Sequence, residues 1–353
     1  MNHSIKPGKI WLDTDGKRIE AHGGAIFYEN DTFYWYGENK DHTDGKSEIW
    51  TWGIRYYSSK DLYNWKDEGF LIEPDLTNRN SLLHPHFRMD RPHILHNFHT
   101  GKYVCWLKYS GPEACFALLE ADCFCGPYRL VKEHYRPWGK KIGDFDLVQE
   151  SDGRAVVFFE GNKDGLYQAD LTEDYLDVTG EARIWYAGLH APFTREGPAH
   201  FERNGIHYLI TSGMSGYTPN PSETAIAKTL RGPYVRQGIP HTNDASRASF
   251  NSQISQVFRH PKKKELYIAL ADRWCPDHLV TAELSLAYET VIAAHFEPEK
   301  YTVTPELREL FSHRPDLTDL DTSRSTYVWL PLRFEDDVAY IDWHDEWKLE
   351  DYE

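Results

Sequence analysis

Five polar residues open five similar segments of the chain, and their types could support acid–base chemistry. Each stands nine to eleven residues before the second residue of a tight polar turn: His22, Asp90, Asp144, Glu196 and Gln253. A single Asp or Glu at the start of a strand usually just accepts hydrogen bonds from turn amides. Bringing three carboxylates, an amide and an imidazole together costs electrostatic free energy, and a purely structural role would not require it. The shared register therefore predicts a polar ligand site where the five segments meet.

Glycosidic bond hydrolysis needs this kind of equipment. It requires one carboxylic acid with a raised pKa to protonate the leaving oxygen, and a second group that activates water or attacks carbon. Glu196, in the segment REGPAHFERNGIHYLITSG, is our predicted proton donor, and neighbouring carboxylates would raise its pKa. Flat apolar faces for the C–H side of a sugar could come from several aromatic residues: Trp35, Tyr36, Tyr217, Trp274 and Trp329.

An internal repeat supplies the elements that must position these residues. Each of the five segments reads as strand, polar turn, strand, and the turns are short and mostly carry Asn or Gly: 30–31, 100–101, 152–153, 204–205 and 261–263. A second pair of short strands is predicted after each hairpin, including HLVTAELSLAYETVIAAHF after the fifth. Four-stranded units recurring every fifty to seventy residues are typical of propeller blades.

The predicted fold is therefore all-β, a five-bladed β-propeller of four-stranded antiparallel blades that spans residues 1–353 as a single catalytic domain. The tail STYVWLPLRFEDDVAYIDWHDEW reads as two strands, and we expect one of them to complete a blade begun at the other end of the chain. A β-sandwich would also contain many short strands, but its turns would not fall into five groups with the same internal order.

Composition narrows the function classes. Aromatic residues make up 14% of the 353 residues, which favours strands, and the formal net charge is −16. That charge repels phosphate backbones and anionic lipid headgroups, so neither nucleic acid nor a membrane is an expected partner. The N-terminal segment lacks the apolar core of a signal peptide, which predicts a cytoplasmic protein. The five cysteines contain no C-x-x-C pair, so we expect reduced, mostly buried thiols.

The motifs resemble those of glycoside hydrolase family 43, and more closely its exo-β-1,3-galactanase group. The resemblance covers about residues 10–347 and lies in HGG at His22, WYGE ending at Glu38, DRPHI at Asp90, EGPAHF at Glu196, NSQ ending at Gln253, DRW at Asp272 and YVWLPL at Tyr327. It implies an inverting hydrolase in which Glu196 is the acid and Asp144 modulates its pKa. The appended carbohydrate-binding module of some relatives has no counterpart in this sequence.

The sequence differs from the family pattern at two positions, and both concern the group that would activate water. Blade one has His22 where most of family 43 has a base Asp, a loss that the galactanase group shares, and the resemblance gives water activation to Gln253. A neutral amide is a very poor base unless its imidic tautomer is populated, so Asp90 and Glu38 stay open as alternatives. Asp90 also replaces the Glu that is usual in the galactanases, which shortens its reach by one methylene.

The resemblance also predicts the groups that bind the terminal sugar. The expected substrate-binding residues are Glu38, Asp90, His22, Tyr217, Asn220 and Trp274. No metal is predicted, because His93, His96 and His99 follow no zinc spacing on a strand. A calcium ion in the axial channel is compatible with the resemblance but is not indicated, and no cofactor is required.

The sequence thus predicts an exo-acting glycoside hydrolase that releases a terminal sugar from an oligosaccharide, with β-1,3-linked galactose as the expected sugar and inversion of configuration. In an inverting enzyme the acid and the water-activating group should lie roughly 6.5–9.5 Å apart. Two alternatives remain: another family 43 exo-specificity (α-L-arabinofuranosidase, β-xylosidase or galactofuranosidase), or a catalytically silent sugar-binding propeller.

Overall fold

The computed structural model describes residues 1–161, 164–314 and 320–353, and its strands form five four-stranded antiparallel sheets. In every sheet the strands follow one another in chain order, so each blade is a meander of consecutive hairpins. This confirms the predicted all-β fold, the five-bladed propeller. No helix among the described residues is long and apolar enough to cross a membrane.

The first three blades contain twelve strands. Blade one comprises β1–β4, at His22–Glu29, Thr32–Glu38, Ile54–Ser59 and Lys66–Ile72. Blade two comprises β5–β8, at Arg88–His96, Tyr103–Ser110, Cys115–Ala121 and Arg129–Tyr135. Blade three comprises β9–β12, at Phe145–Gln149, Ala155–Glu160, Leu166–Leu171 and Val178–Trp185.

The last two blades contain eight strands, and two helices are inserted within the fifth. Blade four comprises β13–β16, at Arg195–Arg203, Ile206–Gly213, Glu223–Ala227 and Val235–Gly238. Blade five comprises β17–β20, at Gln253–Arg259, Tyr267–Arg273, Thr326–Glu335 and Val338–Ile341. Helices α1 and α2 lie between β18 and β19, at Ala282–Phe296 and Pro305–Ser312.

The hairpin turns have the conformation that their residues favour. Asn30 and Asp31 both have positive φ, 49° and 59°, as do Asn204 and Gly205, at 53° and 77°. Two consecutive residues with positive φ are typical of type I′ turns, whose twist matches that of antiparallel strands. The hairpins at these positions were therefore predictable from their turn residues.

The second strand pair that we predicted for the fifth segment is wrong, because the sequence HLVTAELSLAYETVIAAHF contains α1. The side chain of Thr281 caps this helix by accepting a hydrogen bond from the amide of Leu284, and Thr304 caps α2 in the same way at Leu307. Ala, Leu and Glu favour helices once a cap has satisfied the first amides. The two missing strands come from the tail of the chain.

The expected closure by a shared blade is also wrong. The tail strands β19 and β20 complete blade five itself, and among the described residues no strand from one end joins the blade of the other. The ends meet instead through an isolated bridge, in which the backbone amides of Ile5 and Trp347 donate to each other's carbonyl oxygens at 2.9 and 3.0 Å. Packing between blades one and five supports this contact, with the rings of Trp35 and Trp329 4.6 Å apart.

A bulge follows the polar residue that opens the innermost strand in three blades. The pairing register shifts between His22 and Ala25, between Asp90 and His93, and between Glu196 and Ala199. In each case the next residue has positive φ: Gly23 at 57°, Arg91 at 47° and Gly197 at 57°. Bulges re-aim side chains at barrel rims and beside active sites. The residue before each bulge keeps a partner on the next strand, and the ladder resumes after the bulge in a shifted register.

The cysteines agree in part with expectation. All five are free thiols: Cys105, Cys115 and Cys275 are buried, whereas Cys123 and Cys125 are exposed.

Candidate active site

All five blades contribute to one cavity of about 230 Å³. Eight of the nine predicted site residues line it: Glu38, Asp90, Asp144, Glu196, Tyr217, Asn220, Gln253 and Trp274. The carboxylates and the amide come from different blades, as the shared register indicated. Their roles in catalysis and binding stay predictions, but their convergence on one cavity is a structural fact.

Glu196 is the carboxyl group of this cavity with the strongest tendency to stay protonated. Burial raises its pKa well above the usual value, and the negative charges of Asp144 and Glu160 raise it further. Among the residues that the structure describes, no cation lies within ion-pair distance of its carboxyl oxygens. A neutral carboxylic acid beside an ionised one can donate a proton.

Asp144 has the opposite environment, although it shares the same cavity. Lys108 Nζ lies 2.6 Å from Asp144 Oδ1, and Arg91 Nε lies 3.0 Å from the same oxygen. Burial alone would raise the pKa of Asp144, but these two cations lower it below its usual value. Asp144 is therefore ionised, which is the state in which it raises the pKa of Glu196.

Arg91 and Lys108 were missed by the sequence analysis. Arg91 lies within the DRPHI motif, and its positive φ places it at the bulge of β5. Lys108 interrupts the apolar run of β6 and pairs directly with Asp90 across the sheet. A lysine inside a buried strand, in register with a site carboxylate, was the signal that could have revealed it.

Gln253 contacts Glu196 directly. Its side-chain nitrogen lies 3.4 Å from Glu196 Oε1 and 2.8 Å from Ser212 Oγ, while its carbonyl oxygen accepts a hydrogen bond from Arg91 at 2.6 Å. Our expectation that the acid and a water-activating Gln253 stand about 6.5–9.5 Å apart does not fit this contact, because no water fits between hydrogen-bonded groups.

Glu38 combines burial with a lysine contact. Lys40 Nζ lies 2.8 Å from Glu38 Oε2, and the backbone amide of Arg91 donates to Oε1 at 3.2 Å. Burial raises the pKa of Glu38 to about 7; Lys40 opposes this effect, and the charge of Asp90 adds to it. A carboxylate with a pKa near neutrality suits a general base.

Asp90 is held by three donors. The indole nitrogen of Trp50 donates to Oδ1 at 2.8 Å, the hydroxyl of Ser110 donates to Oδ2, and Lys108 Nζ lies 3.4 Å from Oδ2. These contacts fix the Asp90 side chain, which is shorter than the Glu usual in the galactanases, in place.

His22 does not line the cavity, so the structure does not place it to bind a sugar as we predicted. It is completely buried behind Asp272, whose Oδ1 lies 3.0 Å from His22 Nδ1. Asp272 Oδ2 accepts from the amide of Gly23 at 2.9 Å, and Asp272 lines the cavity. His22 therefore supports Asp272, which we had noted only as part of the DRW motif.

Three aromatic side chains form the apolar part of the cavity wall: Trp50, Tyr217 and Trp274. Tyr217 lies between the two indoles, with ring centroids 5.7 Å from Trp50 and 5.9 Å from Trp274. Asn220 lines the same wall, but its side chain bonds to both backbone groups of Gly213 and so holds the loop.

Three other predicted platforms, Trp35, Tyr36 and Trp329, are at most 2% exposed. Trp35 and Tyr36 are adjacent on β2 and point to opposite faces of blade one, and neighbouring blades cover both faces, with Trp329 in the same core cluster as Trp35. They cannot offer a face to a sugar.

The histidine cluster has ordinary partners. His93 Nδ1 faces Asp146 Oδ1 at 3.4 Å, and burial lowers the pKa of His93 to about 3. In the described parts of the chain, no three His, Cys, Asp or Glu side chains are grouped so that they could hold a metal ion.

A propeller whose axial cavity pairs a protonated carboxyl group with an ionised one, beside aromatic side chains, has the equipment of a glycoside hydrolase. The family model for glycosyl hydrolases family 43 matches residues 21–281. The chain belongs to this family and is a glycoside hydrolase. A search of curated proteins found no match.

Solved structures agree with this assignment. One β-1,3-galactosidase of family GH43 is 27% identical with a TM-score of 0.80, and this chain is covered completely but spans only 65% of that chain. A second, solved with galactodeoxynojirimycin, is 26% identical with a TM-score of 0.75 over 98% of this chain and 100% of its own. An exo-β-1,3-galactanase from Clostridium thermocellum is 25% identical with a TM-score of 0.75, covering 98% of this chain and 66% of its own.

Proposed function

We propose that this hydrolase releases a terminal β-1,3-linked galactose from the non-reducing end of an oligosaccharide, with Glu196 as the proton donor. The observation that carries the proposal is the contrast between Glu196, whose pKa is raised, and its ionised neighbour Asp144, whose pKa is lowered. The names of the similar structures support the sugar and the linkage, since they are β-1,3-galactosidases and an exo-β-1,3-galactanase.

The cavity supports exo action. Its volume of about 230 Å³ is smaller than the roughly 300–1,000 Å³ typical of pockets for drug-sized ligands, so it suits one sugar ring. Trp274 would offer its face to the apolar side of that ring, while Asp90 and Asp272 would accept hydrogen bonds from its hydroxyl groups.

We propose inversion of configuration, as in the family that the sequence resembles, with Glu38 as the group that activates water. Its pKa of about 7 and its place on the cavity wall support this role. The anomer released first, followed by ¹H NMR before mutarotation, tests the stereochemistry: α-galactose is expected from a β-galactoside, and initial β-galactose would contradict inversion.

The Glu196→Gln variant tests the proton donor. General acid catalysis contributes about 10²–10⁴-fold, and only where the leaving group needs a proton. We therefore expect kcat on β-1,3-galactobiose to fall by about 10³-fold, while hydrolysis of dinitrophenyl β-galactoside changes little and galactose binding stays measurable by calorimetry. Glu202→Gln, on the outer part of β13, is the matched control. Unchanged turnover of the disaccharide by Glu196→Gln would contradict the proposal.

Asp90 is the reason to test a second exo-specificity. Its carboxylate is one methylene shorter than the Glu that is usual in the galactanases, and Trp50, Ser110 and Lys108 hold it in place, so it reaches less far toward a sugar hydroxyl group. A panel of nitrophenyl glycosides decides the sugar: the β-galactoside should have the highest kcat/KM. A higher value for α-L-arabinofuranoside, β-xyloside or galactofuranoside would reassign it, and no turnover of any sugar that binds would favour a sugar-binding propeller.

A further inference from the structure

We propose that Gln253 acts on Glu196 and not on water: it is a positioning residue that donates a hydrogen bond to Glu196 Oε1 and thereby keeps the acidic proton on Oε2. The inference rests on the proposed role of Glu196 as proton donor. It removes Gln253 from the candidates for the water-activating group.

The orientation of the Gln253 amide follows from its contact with Arg91. A guanidinium group has donors and no acceptor, so the atom that faces it must be the carbonyl oxygen of Gln253, and the distance is 2.6 Å. The amino group of the side chain therefore points the other way. There it lies 2.8 Å from Ser212 Oγ and 3.4 Å from Glu196 Oε1.

The contacts of Ser212 agree with this orientation of the Gln253 amide. Its hydroxyl donates to the backbone carbonyl oxygen of Glu196 at 3.4 Å, which leaves a lone pair on Ser212 Oγ for the Gln253 amino group. Both protons of that amino group thus have acceptors, one on Ser212 and one on Glu196. Each member of the chain from Arg91 to Glu196 donates to the next group, so the chain has one direction.

In this orientation Gln253 has no basic atom that could activate water. The nitrogen of a neutral amide has no basic lone pair, and the imidic tautomer would carry a proton on the oxygen. That oxygen accepts a hydrogen bond from the guanidinium of Arg91, and protonation would make it a poorer acceptor, so this contact favours the amide over the imidic tautomer. Arg91 is itself fixed by Asp144, at 3.0 Å, and cannot turn away without losing that ion pair.

For Glu196 the contact has two consequences. A protonated carboxyl group has one O–H and one accepting oxygen, and a donor at Oε1 makes Oε1 the accepting one, so Oε2 carries the proton. When Glu196 gives this proton to the leaving oxygen, the hydrogen bond from Gln253 becomes charge-assisted and stronger. The stabilisation therefore increases toward the transition state, where it accelerates the reaction.

A comparison of leaving groups tests the inference. If Gln253 acts through the acid, Gln253→Ala should lower kcat on β-1,3-galactobiose by roughly 10–100-fold and kcat on dinitrophenyl β-galactoside less than about 3-fold, because a good leaving group needs no proton. Equal losses on both substrates would overturn it, since water activation is needed whatever the leaving group. Gln256→Ala, on the same strand but bonded to the amide of Ile26, is the matched control and should leave both rates unchanged.

Two further measurements keep the inference separate from the proposed function. Sodium azide should not restore the activity of Gln253→Ala; the appearance of α-galactosyl azide would show that a base had been removed and would overturn the inference.

The Gln253→Glu variant gives the second measurement. It should move the basic limb of kcat/KM to higher pH, because a carboxylate beside Glu196 raises the pKa of Glu196. A faster reaction with an unmoved limb would instead identify position 253 as the base. If the proposed function is wrong, Glu196→Gln will show it, because its loss of kcat will then be the same on the disaccharide and on dinitrophenyl β-galactoside.

Discussion

Two clusters of carboxyl groups in this propeller differ in how their cations are placed. In the first, Glu196 and Asp144 share the cavity, and the two cations present both contact Asp144. In the second, Glu20 and Asp272 lie on the two sides of His22, with one ring nitrogen directed at each. Burial raises the pKa of Glu196 and acts in the same direction on Asp144, so burial does not decide which of these two keeps a proton. Asp144 contacts both cations and is ionised, whereas the acid Glu196 is the one of the four without a cation in contact.

The surroundings of His22 favour a proton on each ring nitrogen. Tyr327 Oη accepts from the amide of Ala21 and donates to the carbonyl oxygen of Ile19, so it has no proton left for His22 Nε2, which lies 3.2 Å away. A proton on Nε2 would therefore face acceptors only, and Nδ1 lies 3.0 Å from Asp272 Oδ1. Burial alone would lower the pKa of His22, but the hydrogen bonds to Asp272 and Glu20 outweigh it and raise it.

The largest expected effect comes from breaking the second cluster. His22→Leu leaves the buried Asp272 without its ion-pair partner and leaves Glu20 with Arg18 alone, and removing one partner of a buried ion pair costs about 3–5 kcal/mol in the free energy of unfolding. Urea denaturation measures it. His278→Leu, at an exposed histidine, is the control and should change stability by less than about 0.5 kcal/mol.

The pH dependence of the same measurement separates charge from packing. Because the pKa of His22 is raised in the folded state, its contribution to stability is complete below about pH 6.5 and is lost as pH rises through the folded pKa. The difference in stability between wild type and His22→Leu should shrink over that range. A difference independent of pH would show that His22 is neutral and contributes by packing alone.

A smaller effect, on activity, is expected from altering the first cluster. Asp144→Asn removes the negative charge that raises the pKa of Glu196 and that both Lys108 and Arg91 contact, so the pKa of Glu196 falls. We expect kcat/KM on β-1,3-galactobiose to drop by about 10²-fold, and its basic limb to move to lower pH. Asp152→Asn, in an exposed turn of the same blade, is the control. A basic limb that stays in place would mean that Asp144 does not modulate the acid.

The smallest expected effect concerns Glu38. It contacts a cation, as Asp144 does, yet its pKa is raised, as that of Glu196 is, to about 7. Lys40→Met removes the contact at 2.8 Å, so the pKa of Glu38 should rise further. If Glu38 activates water, the acidic limb of kcat/KM moves to higher pH, and at pH values below that limb the rate falls about tenfold for each pH unit that the limb moves. Lys46→Met, at an exposed lysine, should leave the profile unchanged. An unmoved acidic limb in Lys40→Met would exclude Glu38 as the base.

Much of the fold was determined by local features of the sequence. Turn residues such as Asn30 and Asn204 favour the positive φ of tight hairpins, and the recurrence of those hairpins predicts blades. The helix α1 was missed although Thr281 marks its start, because apolar residues in a short segment do not by themselves distinguish helix from strand. The position of Glu196 was also predictable, since a fixed register in a repeat places equivalent residues around one axis.

Only the tertiary structure decided how the charges are distributed. The sequence places His22, Asp90 and Glu196 at one register position, and each precedes a bulge, but Asp90 and Glu196 line the cavity whereas His22 is buried against Asp272. Contacts between blades bring Arg91 to Asp144 and Gln253, which are 53 and 162 residues away in the chain. A pKa depends on the distance to every neighbouring charge and on exclusion of water, and neither quantity is contained in the spacing of residues along the chain.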